Sequence, residues 1–151
     1  VGSAHQEVFV EVDIATLAMS ARGSITGVVF IRGTDRSFPA SDWSDFPVVI
    51  LDWWLEPVSQ ILQRKTKTWM CRFMEGPLTM QLTQQDGDSW LLTGANNGCT
   101  EFEAAVSCRT FIRSLLGAAR EILTACGQRR WSNADIDKLA STLKRLELEA
   151  L

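Results

Sequence analysis

Catalysis needs side chains that move protons, hold charge or attack a bond, and these can be sought residue by residue. The one histidine, His5, stands in the leading segment, so no serine or cysteine nucleophile has an imidazole placed to take its proton. Gly23-Ser24-Ile25-Thr26-Gly27 lacks the lysine and spacing of a phosphate loop and enters a strand pattern instead of a helix. Asp86-Gly87-Asp88 offers two carboxylates without the remainder of a calcium loop, and Asp-Gly is a hairpin signal. Cys71, Cys99, Cys108 and Cys126 include no Cys-x-x-Cys pair and no histidine at zinc-ligand spacing, so they are expected to be reduced, buried thiols. No catalytic residue, metal-ligand set or cofactor is expected. Carboxylates brought together only by folding would still make an enzyme, and that alternative stays open.

Charge is the other chemistry available. If a helix runs from Ser41, Asp42, Asp45, Asp52 and Glu56 fall within about an 80° sector of it. No basic residue interrupts the segment from Asp42 to Gln63, so the expected result is an acidic stripe able to attract a cationic partner. A solvated face opposite the core would give the same pattern. Trp43 lies beside the stripe as a candidate aromatic anchor, with burial as the competing expectation. Of opposite sign are Arg109, Arg113 and Arg120 on one helical face, and Arg64, Lys65 and Lys67 after the first helix. Either basic group could meet phosphate or the acidic stripe.

These side chains need a scaffold. The chain has 151 residues, 46% hydrophobic, which suffices for one domain with a substantial core over 1–151. With 15 basic and 18 acidic residues, its net charge of -3 is far from the profile of a general nucleic-acid binder. The leading residues show no secretory signal pattern and no run is long enough to span a bilayer, so a cytoplasmic location is expected.

Residues 7–14 alternate with the period of a half-buried strand, and Ile25–Arg32 forms a second, with Met19–Gly23 as the turn. From Ser41 the apolar spacing turns helical through Ile61, with Ser41 or Ser44 as cap and a bend or break at Pro57. Four strands follow, with turns at Glu75-Gly76-Pro77, Asp86-Gly87-Asp88 and Asn96-Asn97-Gly98. A helix holding Phe111, Leu115, Ala119, Ile122 and Cys126 is expected to end at Gly127, and Ser132 with Asp135 to cap the last helix. The order is ββαββββαα: an α+β fold in which an antiparallel sheet of about six strands is packed by three helices.

The segment Phe38-Pro39-Ala40-Ser41-Asp42-Trp43-Ser44-Asp45-Phe46, continuing to Ile50-Leu51-Asp52-Trp53-Trp54 and then Arg72-Phe73-Met74-Glu75-Gly76-Pro77, resembles bacterial immunity proteins of polymorphic-toxin systems. The resemblance covers about a third of the chain, in residues mainly of structural types. It implies a cytoplasmic protein that binds one cognate toxin domain, such as a basic nuclease, and blocks it stoichiometrically without catalysis. Asp42, Trp43, Asp45, Asp52 and Glu56 would then be the contact residues. The net charge departs from that pattern, being modest for a nuclease inhibitor. A small-molecule or nucleic-acid binding module is the alternative, and an enzyme the third.

Overall fold

The computed structural model describes residues 5–149. β1 (Phe9–Met19) and β2 (Ile25–Arg32) form an antiparallel hairpin, its turn relying on Gly23 at φ +86°. Val10 and Val12 point into the core while Asp13 faces solvent, as the alternation requires. Two short strands, β3 (Ser37–Phe38) and β4 (Ser44–Asp45), both pair with β2. The four-strand meander follows as β5 (Thr68–Arg72), β6 (Leu78–Asp86), β7 (Ser89–Asn96) and β8 (Cys99–Ser107). The described residues thus make an α+β fold with two antiparallel sheets of four strands each, two more strands than expected in all.

The first helical segment starts later than its apolar spacing suggests. α1 spans Pro47–Leu55, with Pro47 in its first turn and Phe46 at the N-cap without a side-chain cap. Neither Ser41 nor Ser44 caps it, because residues 43–45 are drawn out along β2: the Val29 N–H bonds the Trp43 carbonyl at 2.9 Å, and Asp45 lies opposite Gly27. A residue before proline is also held out of helical geometry, and Phe46 has φ -109° and ψ 80°. Pro57 divides the segment as expected and stands at the N-cap of α2 (Val58–Leu62).

α3 (Cys108–Gln128) runs one residue past Gly127, and the backbone turns left-handed at Arg130, φ 58°. α4 (Ala134–Glu147) is capped by Asn133, whose side chain accepts the Ile136 N–H at 2.7 Å. Asn133 is three residues ahead of that donor, where a capping oxygen reaches; Ser132 is one residue too early.

The helices join the two sheets: α1 packs against β2 and β5, α3 against β1 and β8, and α4 against α1 and α3. The core is one connected cluster. Trp54 and Phe73 meet edge-on at 5.2 Å between centroids, Phe73 and Phe38 at 5.8 Å, and Trp69 and Phe111 at 5.5 Å, contacts that add to the burial of large rings. The buried indole donors are satisfied: Trp54 Nε1 donates to the Arg72 carbonyl at 2.7 Å and Trp69 Nε1 to the Trp54 carbonyl at 2.9 Å. At the other edge, α3 covers β1. Ser114 Oγ accepts from Val10 N–H at 2.8 Å, and Arg129 donates to the carbonyls of Leu17 and Ile14, both at 3.0 Å. Edge groups that would otherwise invite another strand are thereby occupied.

Candidate functional site

The five residues expected to form one contact surface do not share a helix. Asp42, Trp43 and Asp45 precede α1, and only Asp52 and Glu56 are tied to it, Glu56 as its C-cap. Asp45 is 1% exposed and Asp52 2%, whereas Asp42 and Glu56 are exposed and Trp43 half-buried. The exposed acidic row is therefore broken at its two middle members, for a reason visible in each one's partners.

Asp45 accepts four hydrogen bonds from two parts of the chain. Oδ1 takes the N–H of Phe46 at 2.7 Å and of Met74 at 3.3 Å, and Oδ2 takes Trp43 Nε1 at 3.0 Å and the Glu75 N–H at 3.2 Å. The carboxylate thus ties the start of α1 to the turn between β5 and β6. Such a set of donors replaces the water a buried carboxylate loses, and the helix N-terminus adds favourable potential. Asp52 faces α4: Oδ1 accepts from Thr142 Oγ1 at 2.6 Å, and Oδ2 lies 3.4 Å from Lys138 Nζ. It clamps α1 to α4.

What Asp45 organises is a corner on the surface. The Trp43 ring lies over Gly76, with Cη2 3.3 Å from where a Cβ would stand, and Met74 and Glu75 are exposed beside it. Met74 is 39% exposed, Met70 on β5 44% and Trp53 on α1 41%. Met70 and Met74 lie on the same outward face of β5 and the turn after it, so their exposed side chains extend the apolar surface at Trp43, whereas Trp53 lies beside Asp135 and Lys138 of α4. Asp42 stands beside Trp43 and Glu75 beside Met74 in sequence, both exposed, and Glu56 is exposed at the end of α1. Glu75, Met74 and Trp53 carried no site expectation from sequence. The signal present was Met74-Glu75-Gly76-Pro77, a turn holding an exposed apolar residue.

The basic residues divide differently. Arg120 pairs with Glu147 at 2.8 Å, while Arg109 and Arg113 are exposed. Arg64 follows α2 in a left-handed conformation, φ 59°, and reaches the same cleft as Arg109. That cleft has a volume of about 240 Å³ and also includes Ile61, Trp90, Ile112 and Asp88.

The start of α3 is closed by Asp88, whose carboxylate accepts from Ser107 Oγ at 2.5 Å and from the Arg109 N–H at 3.0 Å. The expected Asp-Gly hairpin turn is therefore also a helix cap.

All four cysteines are free, and three are buried; Cys99 is exposed, contrary to expectation, because it opens β8 next to the Asn97-Gly98 turn. Burial pushes Cys108 up from 9.0 to about 12, with the Asp88 charge adding to it. Burial raises Cys71 well above 9.0, and raises Cys126 against the opposing charge of Arg129. Buried thiols of this kind are poor nucleophiles. Among the described residues no three of His, Cys, Asp and Glu converge to hold a metal ion, and no helix is long and apolar enough to cross a membrane. Comparison with protein-family models, curated proteins and solved structures returns no match.

Proposed function

We propose that this protein is a binding protein of the immunity type, which neutralises a cognate toxin domain by forming a stoichiometric complex in the cytoplasm, without turnover. The observation that carries the reading is the corner fixed by Asp45, where Trp43 and Met74 offer apolar surface next to the acidic side chains of Asp42 and Glu75. An anchored aromatic ring with an adaptable methionine and acidic side chains beside it has the make-up of protein interfaces. The acidic rim suits a basic toxin domain and would speed its capture. In this reading Asp45 and Asp52 serve the interface by holding it in shape, and Asp42, Trp43 and Glu56 are candidates for direct contact.

The test is co-expression with the product of the neighbouring gene, which the proposal requires to be the toxin. The expected result is relief of toxicity and a one-to-one complex on co-purification. A toxin that stays active and elutes alone would end the proposal.

A further inference from the structure

Two basic groups that lie 45 positions apart in sequence, at Arg64 and Arg109, meet at one cleft. We propose that this cleft, between the end of α2 and the start of α3, binds a phosphate monoester with a compact apolar body. This site is separate from the acidic corner and does not rest on the toxin-binding proposal.

Three features support it. First, neither arginine has an ion-pair partner among the described residues, unlike Arg32, Arg120 and Lys138. Two exposed arginines lining one cleft match the charge of a phosphate dianion, and the guanidinium fork suits its oxygens. Second, the buried side chains of Ile61, Trp90 and Ile112 line the cleft together with the arginines, so an apolar body finds contact surface beside the polar groups that would orient it. Its volume of about 240 Å³ has room for a single ring.

Third, the carboxylate in the cleft is already engaged. Asp88 accepts from the Ser107 hydroxyl and the Arg109 N–H, which directs it to the helix start and leaves the arginine side chains free. Gln84 is similarly committed, donating to the Gly87 carbonyl at 2.7 Å.

The experiment is a titration of isotope-labelled protein, at constant ionic strength, with phenyl phosphate, inorganic phosphate and benzoate, followed through backbone amide signals. Phenyl phosphate should shift Arg64, Thr66, Gly87 and Arg109 together and saturably. It should bind at least about fivefold more tightly than inorganic phosphate, which lacks the ring, and than benzoate, which lacks the second charge. Arg64→Ala and Arg109→Ala should each weaken it about tenfold with the rest of the spectrum unchanged, and Arg109→Lys should restore only part of the loss.

Absence of saturable shifts up to about 20 mM ligand would overturn the proposal. So would equal binding by benzoate, or binding that survives loss of both arginines. If a short single-stranded RNA bound far more tightly and shifted residues beyond the cleft, the surface would be a nucleic-acid track instead, and the proposal would fall.

Discussion

Single side chains here divide sharply between those that hold the structure and those that meet solvent, even where their types are the same. Asp45 and Asp42 are three positions apart, yet one is buried with four donors and the other exposed. Asp45→Ala should therefore cost about 3 kcal/mol in a denaturant titration, because buried N–H groups lose their acceptor. Asp42→Ala should cost less than about 0.5 kcal/mol. Equal effects would contradict the placement of Asp45.

The thiols make a second case. Under native conditions near pH 8, an alkylating reagent should add once per chain, at Cys99, and mass spectrometry would count the adducts. The buried thiols also link stability to alkaline pH. The folded-state value of Cys108 is raised, so its contribution is complete below 9.0 and is lost as pH climbs toward about 12. The unfolding midpoint should accordingly fall across that interval, and less steeply in Cys108→Ala.

Among the elements, glycines show where packing requires the absence of a side chain. Gly94, in the middle of β7, lies against the buried Phe38 ring, and a Cβ there would come within 2.7 Å of ring carbon Cδ2. Gly94→Ala should destabilise by about 2 kcal/mol, since the ring is enclosed and cannot withdraw. Gly117→Ala, where a Cβ meets nothing within 4 Å, should be neutral or stabilising. Thermal unfolding of the two variants checks the contrast.

The long elements were legible in sequence because each repeats its period over many residues: the valines of β1, the alternation of β5 to β8, and the apolar face of α3. β3 and β4 were not legible, since strands of two residues have no period and are defined by their pairing with β2. The same gap misplaced the start of α1. Apolar spacing carried the helix back to Ser41, although Pro47 marked the true start. The site suffered for it, because the acidic row existed only if residues 42–45 were helical. Asp45's partners, Met74 and Glu75, lie 29 and 30 residues away, and no local pattern joins them to it.

At the scale of the molecule, the two sheets and the helices between them hold two surfaces of opposite character. One is the acidic, partly apolar corner at Trp43, Met74 and Glu75; the other is the arginine-rimmed cleft at Arg64 and Arg109. The corner's charge should act mainly on encounter. If the proposed partner is a basic toxin domain, reversing Asp42, Glu56 and Glu75 to lysine should slow its association about tenfold or more at low salt, with the effect shrinking as salt is raised. Reversing Asp45 and Asp52 instead should damage folding, because each would bury an unpaired cation.

The central claim of the proposal, that the apolar part of this corner carries the binding energy, is tested most directly by calorimetric titration of the proposed toxin partner with Met70→Ala/Met74→Ala protein. Both side chains are substantially exposed, so the double variant should keep its unfolding midpoint while its Kd rises at least about a hundredfold. An unchanged Kd in a folded double variant would contradict the claim and move the contact surface elsewhere.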